Sequence, residues 1–230
     1  MGVKVLFLYP NTFGMNMLPP AIALFSSLLK ERGHKVDLFD ATYYQTNHGI
    51  NSDGTKAERL NVVPFSLGEK GIKMRDADWR VDIIEKVQSF EPDLIALSTT
   101  EDMWLLGVRL LEEMGGYITR HKIPVIAGGV FPTFAPDLVI KHRLVDMVCV
   151  GEGENSLVDL CERLDKGNSY SDVTNLWVKQ KDGSIIKNSI SNPFDIDQTL
   201  MIDTGLFEEQ RFYRPMAGKW YKMMPVETIR

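Results

Sequence analysis

The chain has 230 residues, of which 44% are hydrophobic and 25% charged, and its formal net charge is −5. This composition is typical of a soluble globular protein with one domain of ordinary size and an appendage. The acidic balance, with no basic stripe to offset it, argues against nucleic acid as a partner. The apolar run that starts the chain, before Pro10, is too short for a signal peptide or a membrane span. We therefore expect a cytoplasmic protein with no membrane partner.

The two cysteines, Cys149 and Cys161, predict neither a metal site nor a disulfide framework. Neither lies in C-x-x-C spacing or beside a histidine. Cys149 falls inside an apolar run, where a thiol behaves as a small buried hydrophobe. The cysteine content therefore fits a reducing compartment.

Short apolar runs alternate with helical patterns over most of the chain. Strands are predicted at 3–9, 36–39, 94–98, 123–127 and 147–150, and helices at 20–32, 79–90, 103–120, 136–142 and 154–164. The 103–120 helix contains Gly115-Gly116 and is expected to end early there. Such alternation predicts a Rossmann-like, doubly wound sheet of five parallel strands over residues 1–170. A flavodoxin-like strand order, 2-1-3-4-5, is the expected topology.

Two regions break this rhythm. Residues 41–78 are mixed and polar, and predict an irregular insertion or a long loop with a short helix. Residues 171–230 predict a β-hairpin around Asp182-Gly183, followed by a linker with scattered aromatic residues and no clear period. The apolar content of this tail is too high for disorder, so we expect it to pack on something.

Small and hydroxyl-bearing residues follow four of the predicted strands. They are Pro10-Asn11 after the first strand, Ser98-Thr99-Thr100 after the third, Gly128-Gly129 after the fourth and Gly151-Glu152-Gly153-Glu154 after the fifth. In an open parallel sheet, ligands bind in the crevice beyond the carboxyl ends of the strands. Glycine there lets a large ligand approach the backbone. Two plainer interpretations stay open: the double glycine as a strand-to-helix turn, and Glu152 and Glu154 as acids that favour a helix N-terminus.

Four segments resemble the N-terminal cobalamin-binding domain of cobalamin-dependent radical SAM enzymes. They are YPN…PPAIALFSSLLKERGHKVDLFDAT, PDLIALSTT, PVIAGGVFPTFAP and VDMVCVGEGENSLVDL, and the likeness covers about residues 3–188. The resemblance implies that cobalamin binds along the carboxyl edge of the sheet, with its nucleotide tail near Ser98, Gly128 and Gly129 and the corrin above. It adds Pro132 and Thr133, from the GGxxPT segment, to the implied binding residues.

In that family, a C-x-x-x-C-x-x-C loop follows the linker and holds the four-iron–four-sulfur cluster that cleaves S-adenosylmethionine. This chain ends at Arg230, where the likeness reaches the approach to such a loop, and its two cysteines cannot build the cluster. We expect a truncated piece of a longer enzyme, inactive alone, whose full-length protein carries out methyl transfer or a related radical reaction with a radical SAM domain of the same polypeptide. The alternatives are a stand-alone cobalamin-binding sensor or interaction module and a degenerate crevice that binds nothing.

The first loop departs from the D-x-H-x-x-G pattern of classical cobalamin carriers, because residues 10–14 contain no histidine. The resemblance therefore implies cobalt without a histidine ligand from this loop. The loop Thr99–Trp104 and the Met15/Met17 loop are the candidates to cover the lower corrin face, and His48 is a histidine that could reach the crevice. A phospho-acceptor site and a dinucleotide site are disfavoured, because the first strand is followed neither by an acidic cluster nor by G-x-G-x-x-G.

Overall fold

The protein is described by a computed structural model, which covers residues 2–13, 17–46, 68, 71–195, 197 and 200–226. Nine strands occur in these residues: β1 Lys4–Tyr9, β2 Lys35–Asp40, β3 Leu94–Ser98, β4 Val125–Gly128, β5 Met147–Cys149, β6 Leu176–Lys179, β7 Ile185–Lys187, β8 Tyr213–Met216 and β9 Lys219–Lys222. The helices are α1 Pro20–Glu31, α2 Trp79–Phe90, α3 Trp104–Glu113, α4 Gly115–His121, α5 Val130–Phe134, α6 Pro136–Val139 and α7 Glu154–Lys166.

Seven strands form one sheet in the order β2-β1-β3-β4-β5-β6-β7. The first five are parallel, so the predicted 2-1-3-4-5 order is confirmed. The hairpin expected near Asp182 also forms, but it is part of the sheet, because β6 pairs antiparallel with β5. The sheet therefore has seven strands rather than five.

Side chains alternate across the central strands, which gives the sheet two apolar faces. On one face, Leu6, Leu8 and Leu97 pack beneath the group α2 to α6. On the other face, Phe7 and Ile126 pack beneath α1 and α7. Helices thus cover both faces, as a doubly wound parallel sheet requires.

The helix boundaries follow local signals in the sequence. Pro20 occupies the first turn of α1, and the Asp78 side chain accepts a hydrogen bond from the Arg80 amide at the start of α2. Gly167 adopts the left-handed conformation that ends α7. The predicted 103–120 helix is two helices, since the chain breaks at Met114.

The predicted insertion at 41–78 is described only at its two ends, and residues 47–67 with His48 lie outside the described part. At the first end, Tyr43 and Tyr44 are buried, and the Tyr44 ring stacks on Phe39 with ring centroids 5.3 Å apart. The insertion therefore begins as part of the core.

The linker after the first hairpin, in which the sequence shows no clear period, contains a second hairpin, β8–β9, whose turn places Ala217 and Gly218 at positive φ. Before it, residues 201–212 pass along α1 and bury Phe207. The tail was expected to pack on something, and these contacts show that residues 201–212 pack on α1.

Candidate functional site

A cleft of about 360 Å³ opens at the carboxyl ends of the central strands, between α1, α7 and the sheet. Its walls are mainly apolar and come from six elements of the fold and the turn before α7. The residues that line it are Phe7, Ala21, Phe25, Ala96, Leu97, Ser98, Ile126, Gly128, Gly129, Cys149, Gly151, Glu152, Gly153, Glu154 and Leu157. The cleft therefore lies where an open parallel sheet is expected to bind ligands.

The floor of the cleft is formed by the ends of β3 and β4, where Ser98 pairs in register with Gly128. A Cβ added at Gly128 would have one neighbour, the Cβ of Cys149 at 3.7 Å, which is an ordinary contact. A larger side chain at Gly128 would thus extend into the cleft. The glycine keeps this part of the floor bare.

Gly129 is a glycine for a different reason. Its φ of 102° and ψ of −167° lie in a region that only glycine adopts readily. An added Cβ would lie 2.7 Å from the carbonyl oxygen of Thr99, a backbone atom. Gly129 therefore permits the sharp turn from β4 into α5, which is the plainer interpretation left open for the double glycine.

The G-E-G-E turn forms the wall between β5 and α7. A Cβ at Gly153 would lie 2.9 Å from Cζ of Phe25 on α1, so the Phe25 ring closes over this turn. Gly151 has a φ of 89° and its amide donates to Thr133 Oγ1 at 3.1 Å. The turn thus favours glycine at position 151 for its backbone, and Gly153 leaves room for the tip of the Phe25 ring.

The two acids of the turn have different surroundings. Glu154 is the first residue of α7 and is 3% exposed. Glu152 is half-buried, and its carboxylate accepts a 2.5 Å hydrogen bond from the Phe194 amide. Both reach the cleft, and Glu152 also attaches the turn to the segment after β7.

Seven of the thirteen residues predicted for the site line the cleft, and six do not. Pro10 and Asn11 are buried, and the Asn11 amide donates to Thr42 Oγ1 at 2.9 Å. Thr99 and Thr100 follow β3 outside the lining, with Thr100 Oγ1 bonded to Asp102. The remaining two, Pro132 and Thr133, lie on α5 behind the turn.

Sequence reasoning missed the wall contributed by α1. One apolar stripe of α1 contains Ala21, Leu24, Phe25, Leu28 and Leu29. Only its three leucines are buried, whereas Ala21 and Phe25 line the cleft. Helical spacing shows which residues share a face, but not which neighbour that face meets. No signal in the sequence separates the two uses.

The supporting role of Asn175 was also missed. This residue is 2% exposed and has a φ of 66°. Its side-chain amide donates to the Glu152 carbonyl at 2.7 Å and to Ser191 Oγ at 3.1 Å. It therefore holds the G-E-G-E turn from behind, through the β6–β7 hairpin.

Burial keeps the thiol in the cleft neutral. It raises the pKa of Cys149 to about 12, and the nearby charge of Glu154 adds to the effect. At neutral pH, Cys149 is consequently an apolar wall residue, as its position in the sequence predicts. Among the described residues, no group of three or more His, Cys, Asp or Glu side chains could hold a metal ion. No helix of the described chain is long and apolar enough to cross a membrane.

The fold and the cleft together define an α/β domain whose five parallel strands end at an open cleft. Residues 59–161 match the family described as the B12 binding domain. The resemblance to cobalamin-binding domains is thus confirmed over this stretch of the chain. The match starts outside the described residues and ends within α7.

Solved relatives share this fold. One is TsrM from Kitasatospora setae, a radical S-adenosylmethionine methyltransferase with cobalamin and an iron–sulfur cluster bound. It is 17% identical to this chain, with a TM-score of 0.58, and the alignment covers 87% of this chain and 31% of TsrM. Another is OxsB, a cobalamin-dependent S-adenosylmethionine radical enzyme with aqua-cobalamin bound. It is 20% identical to this chain, with a TM-score of 0.60, and the alignment covers 84% of this chain and 23% of OxsB. At these identities, the likeness shows the fold.

A curated relative is an uncharacterized methyltransferase of Pyrococcus horikoshii, 25% identical over 113 residues. The match covers 49% of this chain and 24% of the relative. The chain therefore spans about a quarter of the length of this relative.

Proposed function

We propose that this chain binds cobalamin, with the nucleotide tail of the cofactor in the cleft and the corrin ring outside, above the carboxyl edge of the sheet. The observation that carries the proposal is the match of an apolar, glycine-floored cleft to the site expected in a B12 binding domain. When bound to a protein, cobalamin supplies a cobalt centre that can carry and transfer an alkyl group.

The size and chemistry of the cleft fit one part of the cofactor. Pockets that enclose a whole drug-sized ligand measure about 300–1,000 Å³, and cobalamin is far larger than such a ligand. A cleft of about 360 Å³ is suited to the flat aromatic base of the tail, which would contact Phe25 and Leu157. Ser98 supplies a hydroxyl on the floor, next to the bare backbone of Gly128.

The described histidines lie away from the cleft. His34 Nδ1 accepts from the Val3 amide at the amino end of β1, His121 stacks on Tyr117, and His142 contacts the Trp104 ring. We therefore propose that the described part of the chain gives cobalt no imidazole ligand. Met17, 50% exposed, is the described member of the Met15/Met17 loop, and the Thr99–Trp104 loop keeps its place as the other candidate for the lower corrin face.

The test is a visible absorption titration with hydroxocobalamin, repeated with Gly128→Trp. The indole would fill the cleft, so we expect binding at least tenfold weaker than in the unmodified protein. Gly116→Trp is the matched control, because Gly116 is exposed on α4 and has no neighbour within 4 Å of an added Cβ. Folded Gly128→Trp protein with unchanged affinity would refute the placement of the tail, and no spectral change with the unmodified protein would refute cobalamin binding itself.

We further propose that the domain serves a longer cobalamin-dependent radical SAM methyltransferase in the cytoplasm. The names and greater lengths of TsrM, OxsB and the Pyrococcus relative support this proposal. The iron–sulfur cluster and S-adenosylmethionine would belong to the other domain. Three closely spaced cysteine codons downstream of Arg230 in the reading frame are the expected finding, and their absence would favour the sensor module.

A further inference from the structure

The segment 201–212, here called the strap, is attached along one side of α1. The Asp203 amide donates to the Ala23 carbonyl at 3.0 Å. The Asp203 carboxylate accepts from Ser26 Oγ at 2.7 Å and from Lys30 Nζ at 2.5 Å. Burial raises the pKa of Asp203, but the bonds from Lys30 and Ser26 outweigh it, so the net pKa is lowered and the group is ionised at neutral pH.

The far end of the strap is attached by a buried arginine. Arg211 is 2% exposed, and its Nε lies 2.9 Å from Oδ2 of Asp40 at the end of β2. Its Nη2 donates to the carbonyl of Met17 at 3.0 Å, three residues before α1 begins. The strap therefore holds both the entry to α1 and its later turns.

Helix α1 lies between the strap and the cleft. At 3.6 residues per turn, Ser26 and Lys30 are rotated by roughly 140° from Ala21 and Phe25, which line the cleft. The Phe25 ring stacks on Phe7 with centroids 6.2 Å apart. Any movement of α1 towards or away from the sheet would consequently change the width of the cleft.

We infer that the strap is a working part of the cobalamin site, in which Asp203 and Arg211 are positioning residues that act through α1 to hold the cleft open. The inference rests on the proposed function. Because coupling between two events is reciprocal, a ligand in the cleft must stabilise the docked strap as much as the strap favours the ligand.

The first test compares hydroxocobalamin affinity in Asp203→Ala, Asp203→Asn and Asp137→Ala. Loss of charge-assisted hydrogen bonds in Asp203→Ala should raise the dissociation constant about tenfold. Asp203→Asn keeps an acceptor for Ser26 and should give an intermediate value. Asp137→Ala is the matched control, because it removes an exposed ion pair to Lys187, 3.2 Å long, that touches neither the strap nor α1.

The second test needs no substitution and so does not depend on a variant that folds. Hydrogen exchange of the Asp203 amide, and of the other strap amides, should slow several-fold when hydroxocobalamin binds. Unchanged exchange in the strap at saturating cobalamin, or equal affinities in all three variants, would overturn the inference while leaving cobalamin binding in place. If the unmodified protein binds no cobalamin, the proposed function fails and the inference fails with it.

Discussion

The two adjacent glycines at the end of β4 should differ widely in how much stability the protein loses when each is replaced by alanine. Gly129→Ala forces a side chain into a backbone region that costs about 1–3 kcal/mol for other residues. It also places a Cβ 2.7 Å from the Thr99 carbonyl oxygen, and overpacking of this kind costs about 1–3 kcal/mol more. The expected loss in free energy of unfolding is about 2–6 kcal/mol.

Gly128→Ala is the matched control, since its Cβ would make only an ordinary 3.7 Å contact with Cys149. Urea unfolding gives the free energy of unfolding of both variants and heating gives their melting temperatures, each followed by far-UV circular dichroism. For a chain of this size, 1 kcal/mol shifts the melting temperature by about 2–4 °C, so Gly129→Ala should melt at least about 4 °C lower. A Gly129→Ala protein as stable as Gly128→Ala would show that the turn does not require glycine. Because a side chain at Gly129 is expected to destabilise the fold, bulky substitutions intended to block the cleft should be made at Gly128 and not at Gly129.

Two further predictions concern buried side chains that can carry a charge. Burial lowers the pKa of His34, against the opposing charges of Asp165 and Glu162, so the neutral form is favoured in the folded state. The contribution of His34 to stability is therefore complete above the unfolded pKa of about 6.5 and is lost as pH falls below that value. The urea midpoint should drop more between pH 7.5 and 5.5 in the unmodified protein than in His34→Asn. Equal drops in the two proteins would contradict this prediction. Arg211→Met should lower the free energy of unfolding by about 3–5 kcal/mol because it leaves the Asp40 carboxylate without its ion pair. The double variant Arg211→Met, Asp40→Asn should recover part of that loss in the same assay. No recovery would show that the loss does not come from the broken ion pair between Arg211 and Asp40.

Local signals in the sequence were enough for the elements that carry them. The bounds of α2 were predicted as they occur, because Asp78 caps its start and Pro92 lies just past its end. By contrast, α5 was missed: it has five residues, and Val130 and Phe134 are exposed, so no buried stripe marks it. The second hairpin was missed because its strands have four residues each and neither alternates apolar with polar side chains.

The candidate site divides in the same way. The residues at strand ends were predictable, because the carboxyl ends of parallel strands must meet at one edge. The contribution of α1 was not, because the approach of Phe25 to Gly153 joins residues 128 positions apart in the chain. Contacts at such separation depend on how helices pack, and no local pattern records them.

The amide of Asn175 has a bearing on where this protein can be shortened. It links the wall of the cleft to a residue beyond position 170, where the sequence suggested that the domain ends. A chain trimmed at position 170 would also lose β6, the antiparallel neighbour of β5, and the edge of β5 beside the turn would then be unpaired. We expect the smallest autonomous folding unit that preserves the cleft to extend through Phe194, whose amide meets Glu152.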